Sequence, residues 1–233
     1  MRDVQIIPFN AQEKIIIAAD NSGAIGMKEE DIVEASYETV AYFSFRVAVM
    51  ECLAAGGIPF SVILQNFCGE KAWQQLLYGI EKGIAELELT KKLTITGSTE
   101  SNFSLKQSAI GITVLGKSES VGKMPFSTSK IAVIGSPLVG SEVVENPDKI
   151  APLSLFYKLA RLNKYNLQPV GSKGILYELS VLLRDPINGR ISCTLDIEKS
   201  AGPSTCFLIE YEQTEEEEIR RLTTTFFHDL HIN

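Results

Sequence analysis

The sequence is poor in the residues that most often carry acid–base and metal chemistry. It contains two histidines, His228 and His231, at its C-terminal end, and four cysteines that form no Cys-x-x-Cys pair. Neither residue type has the spacing of a zinc site. Any acid–base step is therefore expected from carboxylates or lysines. The histidines are expected to be frayed surface residues, and the cysteines to be buried, reduced thiols.

Positive charge and long apolar runs are also scarce. The 233 residues include 22 Lys and Arg against 29 Asp and Glu, which gives a formal net charge of −7. Binding to nucleic acid or to a membrane surface needs clustered basic side chains, so neither is expected. No apolar run approaches the ~20 residues that cross a bilayer, and the N-terminal stretch lacks the apolar region of a signal peptide. We therefore expect a cytoplasmic protein.

Common motifs for phosphate binding and nucleophilic attack are absent. The sequence has no GxxxxGK[ST] loop, no GxGxxG after a predicted strand and no GxSxG turn. Their absence argues against a Walker-type nucleotide site, a Rossmann dinucleotide domain and an α/β-hydrolase nucleophile. A phosphate-bearing ligand remains compatible with the sequence, because a local glycine loop and a metal ion can outweigh a negative overall charge.

The apolar pattern predicts a mixed α+β protein. Apolar residues make up 45% of the chain and charged residues 22%, which is typical of an ordinary globular core. The residues before 117 predict the order β-α-β-α-β-β. In this part the expected strands are 13–20, 60–67, 92–97 and 108–116, and the expected helices are 32–55 and 71–87.

The segment 117–130 is polar and contains glycine and proline, so it predicts a linker between a domain at 1–117 and a domain at 130–233. A final amphipathic helix is expected to carry its glutamates near its start, where the helix dipole favours them and where they are solvated. The expected strands of this second part are 130–140, 191–197 and 206–212, and the expected helices are 151–163, 173–183 and 215–230.

Carboxylates stand at positions that suit metal chemistry. Asp20 ends the first predicted strand, Glu51 lies in the otherwise apolar helix segment VAVMECLAAGG, and Glu100 follows a later strand. A carboxylate in such a helix is costly to bury without a partner. Hard oxygen ligands from separate strand ends are what Mg²⁺ takes, completed by water and phosphate oxygens. The alternatives are that Asp20 caps a turn, that Glu51 reaches a surface edge and that Glu100 is solvated.

The stretch TITGSTES ends a predicted strand with more polar side chains than a plain turn needs. Gly97 would let the backbone approach a phosphate, and Ser98 and Thr99 offer hydroxyl donors without adding charge. Together with the carboxylates, these residues predict a nucleotide-phosphate site. Lys173, at the start of a predicted helix, and Lys199, in EKSAGP, are further candidates for phosphate contact. The alternative for each is an ordinary surface lysine.

Several stretches of the sequence, taken in order, resemble the motifs of the aminoimidazole ribonucleotide synthetase (PurM-like) superfamily. That superfamily includes thiamine-phosphate kinase, selenophosphate synthetase and the hydrogenase maturation dehydratase. The resemblance covers most of residues 13–117 and is weaker beyond, where PVGSKGILYEL and LDIEKSAGPST are similar to a glycine-rich helix start. The matching stretches are IIIAADNSGAIG, AVMECLAAGGIPFSVIL, TITGSTESN and AIGITVLGK.

The resemblance implies a PurM-like N-terminal α/β domain, whose strands form a barrel at a homodimer interface, followed by a shortened α+β C-terminal domain. It implies ATP and Mg²⁺ as cofactors, and a nucleotide and a small-molecule riboside as substrates. By similarity, Asp20 and Glu51 would hold Mg²⁺ on the ATP phosphates. Gly97 to Thr99 would lie beside those phosphates.

The departures from the superfamily pattern narrow the expected activity. Ser98 stands where relatives usually have an acid, so either Glu100 compensates or the site holds fewer metals. Gln168-Pro169 replaces a His-Asp pair. The short form with GSTES, PVGSKG and EKSAGPST is most similar to bacterial α-ribazole kinases, which phosphorylate a 5′-hydroxyl in the salvage of the cobalamin lower ligand. The alternatives are another kinase or synthetase of the superfamily, similar to thiamine-phosphate kinase, and a non-catalytic ATP-binding module.

Overall fold

The computed structural model describes residues 4–89, 92–119, 126–187 and 189–232, and it is a mixed α+β structure. The described residues up to 119 form one compact unit, and those from 126 onward form another. Strands reach into both ends of the expected linker, while residues 120–125 lie outside the described part. In the described part of the chain, no helix is long and apolar enough to span a membrane.

The first unit is built on a five-stranded sheet in the order β1-β2-β7-β5-β6, beside the small pair β3-β4. Within the main sheet, β5 and β6 are parallel and the other neighbours are antiparallel. Its strands are β1 (Val4–Pro8), β2 (Glu13–Gly23), β3 (Ile25–Gly26), β4 (Val33–Glu34), β5 (Ile58–Asn66), β6 (Thr94–Thr99) and β7 (Ala109–Glu119), and its helices are α1 (Tyr37–Ala54) and α2 (Trp73–Ala85).

The two faces of the main sheet differ because side chains alternate along each strand. Ile16 and Ala18 of β2 and Leu64 of β5 are fully buried on the face that α1 covers, and α2 packs on α1. The opposite face carries apolar side chains that are exposed or half-buried. We call it the open face, and its large apolar residues include Ile7, Ile15, Ile17, Ile58, Ile63 and Leu115.

Helix α1 begins five residues later than the sequence predicts. Val33 and Glu34 pair with β3 instead of entering the helix. Ser36 then caps the helix, because its hydroxyl accepts a hydrogen bond from the Thr39 amide at 3.2 Å. Gly56, with φ +82°, follows the helix end in the conformation that favours glycine. The helix was expected to end at residue 55, and it ends at Ala54.

The second unit is a five-stranded, fully antiparallel sheet in the order β10-β12-β8-β11-β9. Helices α4 and α5 confirm the two helices expected at 151–163 and 173–183. Its strands are β8 (Ser129–Ile134), β9 (Asn166–Pro169), β10 (Ile191–Cys193), β11 (Phe207–Glu212) and β12 (Phe227–Ile232), and its helices are α3 (Glu142–Glu145), α4 (Leu153–Arg161), α5 (Gly174–Leu183) and α6 (Glu216–Thr223).

Both faces of this second sheet are covered. Val133 and Leu208 pack in one apolar cluster with Leu179 of α5. The neighbouring residue Phe207 points the other way and meets Phe156 of α4 edge to face, with ring centroids 4.9 Å apart. The second unit therefore has a layer of helix on each side of its sheet.

The expected helix at 215–230 is wrong beyond Thr223. Thr224 has φ +47°, and the chain then forms β12, which pairs with both β8 and β10. The run of threonine and phenylalanine in this segment favours a strand over a helix. His228 is consequently half-buried in a paired strand, 3.3 Å from the Thr194 hydroxyl, so the expectation of frayed histidines is wrong for it.

Other differences are smaller. The short edge strands β1 and β9, which both end in proline, were not expected from the sequence. Strand β8 ends at Ile134 rather than at residue 140, because Gly135 turns the chain with φ +87°. All four cysteines are free thiols, but Cys68 and Cys193 are only half-buried.

Candidate functional site

Three strand ends bring polar loops together at one edge of the first unit's sheet. Here the edge is the side on which β2, β5 and β6 end, not the side of an outermost strand. Strands β2, β5 and β6 run in the same direction, because β7 is antiparallel to both β2 and β5 while β5 and β6 are parallel. Their carboxyl ends therefore lie at one edge, where ligands bind in many open sheets. The chain leaves this edge through the loops 24–32, 67–69 and 100–108.

The strand register puts Asp20 and Gly97 in the same row of the helix-covered face. The row runs from Asp20 through Ile112 and Leu64 to Gly97. Two strands intervene, so about 14 Å separates the Cα atoms at the ends of the row, at ~4.8 Å per strand. The half-buried Asp20 carboxylate thus lies across the sheet from the glycine loop rather than next to it.

Gly97 has a structural requirement that its sequence context does not reveal. A Cβ atom at this position would collide with the backbone carbonyl of Leu64 on the adjacent strand. The absence of a side chain is therefore needed for β6 to lie against β5. Whether Gly97 also lies beside a phosphate stays a prediction.

Alternation along β6 sends its last hydroxyls to different faces. Ser98 pairs with Gln65 and is exposed on the face away from the helices. Thr99 pairs with Asn66 and lies on the same face as Asp20. Of these two hydroxyls, Thr99 is the one placed on the Asp20 side.

Asn66 organises the end of β5 and was missed at the level of sequence. It is 1% exposed, and its amide nitrogen donates to the Thr99 hydroxyl oxygen at 3.0 Å and to the Gly69 carbonyl at 3.0 Å. Its amide oxygen accepts from the Cys68 amide at 2.8 Å. Because the Thr99 oxygen already accepts a bond, its own proton is directed elsewhere, which suits a donor to an anion.

Glu100 begins the loop that follows β6 and forms its first turn. Its amide donates to the Asn66 carbonyl at 2.8 Å. One carboxylate oxygen, Oε1, accepts from the amides of Asn102 at 2.7 Å and Phe103 at 3.3 Å. The other oxygen takes part in neither bond. Glu100 is therefore a turn-forming residue with one oxygen left over for a metal or phosphate-bound water.

Glu51 lies far along the sheet from Asp20. It is 8% exposed in α1, next to Cys52, whose thiol packs against Gly57 and Gly116. Gly116 pairs with Ile16, which is four residues before Asp20 on β2. Four residues of strand correspond to about 13 Å. The fold thus places the two predicted Mg²⁺ ligands near opposite ends of this stretch of β2.

The side chains at this edge do not form a complete Mg²⁺ site by themselves. The described residues contain no group of three or more His, Cys, Asp and Glu side chains that could hold a metal. Mg²⁺ is, however, commonly bound by one or two carboxylates together with substrate phosphates and waters. Asp20 suits that mode with phosphate and water as the remaining ligands, whereas Glu100 lies too far across the sheet to share the same ion. The metal roles of Asp20 and Glu51 stay predictions.

A lysine and an aspartate, both missed at the level of sequence, join these loops. The Lys28 ammonium donates to the carbonyls of Phe67 at 3.1 Å, Leu105 at 2.8 Å and Gln107 at 3.2 Å. Asp31 accepts from the Ser108 amide and hydroxyl, each at 2.7 Å, and from the Lys28 amide at 2.8 Å. Both residues lie in the charged run KEED, which is typical of a solvated surface.

The two lysines predicted to contact phosphate belong to the second unit. Lys173 lies just before α5 and is exposed, with its ammonium 4.2 Å from the centre of the Tyr177 ring. Lys199 forms an ion pair with Glu142 at 2.9 Å. The segments that carry these lysines lie together, since the Leu176 amide donates to the Ile197 carbonyl at 2.9 Å. Their phosphate role stays a prediction.

Gln168, where the superfamily pattern has a histidine, is part of a buried polar contact. It is 1% exposed, and its amide nitrogen donates to the Glu178 carboxylate of α5 at 3.0 Å. A buried amide that is bonded in this way holds β9 against α5. The departure from the pattern at this position therefore has a structural use.

No family model and no curated protein matches the sequence. Solved structures do match it, at 10–13% identity among those compared. A HypE–HypF complex gives a TM-score of 0.64 at 13% identity, covering 100% of this chain and 88% of that chain. A ThiL protein complexed with AMPPCP and TMP gives 0.64 at 12% identity, covering 100% and 84%. The chain has the PurM-like fold.

The PurM-like fold extends over both units, since these matches cover the whole chain. PurL from T. maritima, solved with ADP, gives a TM-score of 0.61 at 11% identity over 100% of this chain. The chain spans only 42% of the length of that PurL. The expected superfamily fold is thereby confirmed, whereas a specific activity does not follow from likeness at this level of identity.

Proposed function

We propose that the chain is an ATP- and Mg²⁺-dependent kinase of a small riboside, with the 5′-hydroxyl of α-ribazole as the acceptor. The observation that carries the proposal is the common direction of β2, β5 and β6, which places Asp20, Thr99 and Glu100 toward the same end of a PurM-like sheet. Solved proteins of this fold hold ADP in PurL and AMPPCP with TMP in ThiL. The short GSTES, PVGSKG and EKSAGPST segments support the riboside as acceptor.

The proposed reaction is in-line transfer of the γ-phosphoryl group, in which positioning and charge neutralisation do most of the work. Bound Mg²⁺ would neutralise charge on the phosphates. Asp20 would orient that site from β2, and the Thr99 hydroxyl, with Asn66 bonded to its oxygen, would donate to a phosphate oxygen. Glu100 holds the loop backbone in place through its bonds to the Asn102 and Phe103 amides.

A non-catalytic ATP-binding module is the second candidate, and two observations favour it. Ser98 points to the face away from Asp20, so it does not take the place of a missing acid on that side. Gln168 is used in a buried contact with Glu178 rather than being presented to a ligand. If the protein is catalytic, the alternative is a kinase similar to thiamine-phosphate kinase. It would differ from an α-ribazole kinase in the molecule that accepts the phosphoryl group.

We also infer that a second copy of the chain covers the open face. A sheet face with Ile17, Ile58 and Leu115 exposed or half-buried is costly to leave in water. The resemblance to the superfamily, whose members dimerise through the strands of the first domain, favours an identical partner. A two-fold axis would bring the same apolar residues together from each copy.

The test is turnover of Mg-ATP with α-ribazole, followed by chromatographic detection of the monophosphate and ADP. Asp20→Asn is expected to lower kcat/KM roughly 100-fold, the scale for losing one charge-stabilising group in an active site. Glu13→Gln is the matched control, because Glu13 begins the same strand at its far end and forms an exposed ion pair with Lys117. The control is expected to keep wild-type activity.

The outcomes separate the candidates. Turnover with thiamine phosphate but not with α-ribazole selects the alternative kinase. No turnover, together with a rise in melting temperature on adding Mg-ATP, selects the binding module. No thermal response to Mg-ATP would falsify the nucleotide site itself.

A further inference from the structure

The Lys28 ammonium is held by backbone carbonyls from two separate loops. Its acceptors are the carbonyl oxygens of Phe67 at 3.1 Å, Leu105 at 2.8 Å and Gln107 at 3.2 Å. An ammonium group has three N–H donors, and these bonds use all of them. None of the three acceptors is a carboxylate. The geometry is thus that of a cation in a cage of carbonyl oxygens rather than that of an ion pair.

Carbonyl cages of this kind bind free monovalent cations elsewhere in proteins. In potassium-channel filters, backbone carbonyl oxygens replace the hydration shell of K⁺. An ammonium ion and K⁺ have nearly the same size and the same charge. A site that accepts the ammonium end of a lysine through three carbonyls is therefore chemically suited to K⁺ or NH₄⁺ as well.

A negative charge lies beside the cage. Asp31 accepts from the Lys28 amide at 2.8 Å and from the Ser108 amide and hydroxyl. Burial works to raise the pKa of Asp31, but the bonds from Ser108 and Lys28 and the Lys28 charge together hold it below its usual range. The carboxylate is therefore ionised at neutral pH. The carboxylate also packs against Gly26, since a Cβ atom on that residue would come within 2.9 Å of Asp31 Oδ2.

The cage joins the loops that carry the candidate site. Phe67 directly follows Asn66, which bonds to Thr99, and Leu105 and Gln107 belong to the loop that Glu100 begins. The 101–107 loop is exposed and has no regular secondary structure. Its further bonds to the 24–32 loop are the exposed Lys106–Glu30 pair and the Gln107 side chain on the Glu30 carbonyl. The Lys28 bonds tie its residues Leu105 and Gln107 to Phe67, which follows the end of β5.

We propose that Lys28 acts as a tethered monovalent cation, which fills a carbonyl site for K⁺ or NH₄⁺ and thereby keeps the 67–69 and 100–108 loops in register. Removal of the side chain leaves three carbonyl oxygens that can take a free ion instead, with the charge of Asp31 on the same loop. The proposal concerns a cation and not the nucleotide or the acceptor, so it goes beyond the proposed kinase activity.

The experiment compares wild type and Lys28→Ala in KCl, NH₄Cl and tetramethylammonium chloride at equal ionic strength. Thermal unfolding reports the stability of the first unit, and the rate of limited proteolysis within residues 101–107 reports the order of the loop. In tetramethylammonium, Lys28→Ala is expected to be cleaved roughly tenfold faster than wild type, because the open state of the loop becomes more populated. K⁺ or NH₄⁺ is expected to recover most of this difference and to leave wild type unchanged.

Two controls separate a cation site from a general salt effect. Lys106→Ala removes a lysine of the same loop whose side chain is 80% exposed, and it is expected to show no difference among the cations. Lys28→Met fills the space between the carbonyl oxygens with an apolar chain. Its loop is therefore expected to be cleaved faster than that of wild type in all three salts, with no recovery in K⁺ or NH₄⁺. Lys28→Gln, which keeps an amide donor, is the second test variant and is expected to respond to K⁺ as Lys28→Ala does.

Equal cleavage of Lys28→Ala in K⁺ and in tetramethylammonium overturns the proposal, and so does equal recovery of Lys28→Met. Neither readout uses ATP. Absence of kinase activity together with the cation response would refute the proposed function and support the tethered cation. Kinase activity without the cation response would support the proposed function and refute the tethered cation.

Discussion

Gly97 was predicted to lie beside a phosphate, but a glycine is also required at this position for β6 to pack against β5. A side chain there would collide with the Leu64 carbonyl, which is part of the strand backbone and cannot rotate aside. A place beside a phosphate is the other reason for a glycine at this position, and it stays a prediction. Sequence alone could not separate these two reasons, because the collision depends on which strand becomes the neighbour of β6.

Gly97→Ala is expected to destabilise the protein by about 1–3 kcal/mol, the range for forcing extra atoms into a packed site. The midpoint of urea unfolding, followed by circular dichroism, measures the change. Gly23→Ala is the matched control, because Gly23 ends β2 at the same edge of the sheet and an added Cβ atom there meets nothing within 4 Å. Equal midpoints for the two variants would contradict the close approach of β6 to Leu64.

The residues that organise the candidate site were only partly predictable. Thr99 and Glu100 stand at a strand end, which can be read from an apolar run followed by a polar cluster. Asp20 was expected to end its strand but lies three residues inside it, because β2 continues through polar residues to Gly23. Lys28 and Asn66 could not be found in this way. Their roles come from partners such as Phe67, Leu105 and Thr99, which are brought near by topology, and a lone lysine or asparagine in a loop carries no such signal.

Among the elements, long segments with a clear pattern were predicted and short edge segments were not. Strand β2 contains a continuous apolar run, helix α1 is a long segment rich in apolar residues, and helix α2 carries its apolar residues along one stripe. Strand β9 has four residues and ends in proline, so no period could develop. The segment after Thr223 was misread because its apolar residues also fit one face of a helix, and the pairing with β8 decided between the two.

Strand β12 leads to a prediction for pH. Burial lowers the pKa of His228 below the ordinary value of 6.5, and the Asp229 charge works in the other direction. A histidine with a lowered folded-state pKa stabilises the protein above about pH 6.5, and this contribution is lost as the pH falls through the folded pKa. His228→Gln is therefore expected to flatten the fall in melting temperature between about pH 6.5 and pH 5.

His231→Gln is the control for this measurement, because His231 lies on the same strand and is exposed. Its melting curve against pH is expected to follow that of wild type. An unchanged slope in His228→Gln would show that the half-buried ring does not carry the acid sensitivity.

For the whole molecule, the open face is the feature with the largest consequence. One face of the first sheet is covered by α1, while the other bears Leu115 of β7 in the middle strand of the five. Leu115→Glu is expected to turn the proposed dimer into a monomer, because it puts a charge at the centre of the proposed interface. Light scattering coupled to size-exclusion chromatography measures the mass.

Ile32→Glu tests the specificity of this effect. Ile32 is 82% exposed and lies outside the main sheet, so the variant is expected to keep the wild-type mass. A wild-type mass of one chain at micromolar concentration would rule out the proposed partner for the open face.

The second sheet has its shortest strands at its edges, and this affects how the protein avoids aggregation. Its edge strands are β10, with three residues, and β9, with four, and β9 ends in Pro169, which has no amide hydrogen to donate. Short edges with proline offer little template for the growth of a sheet from one molecule into the next. Pairing of strands between molecules is thereby discouraged at both edges of this sheet.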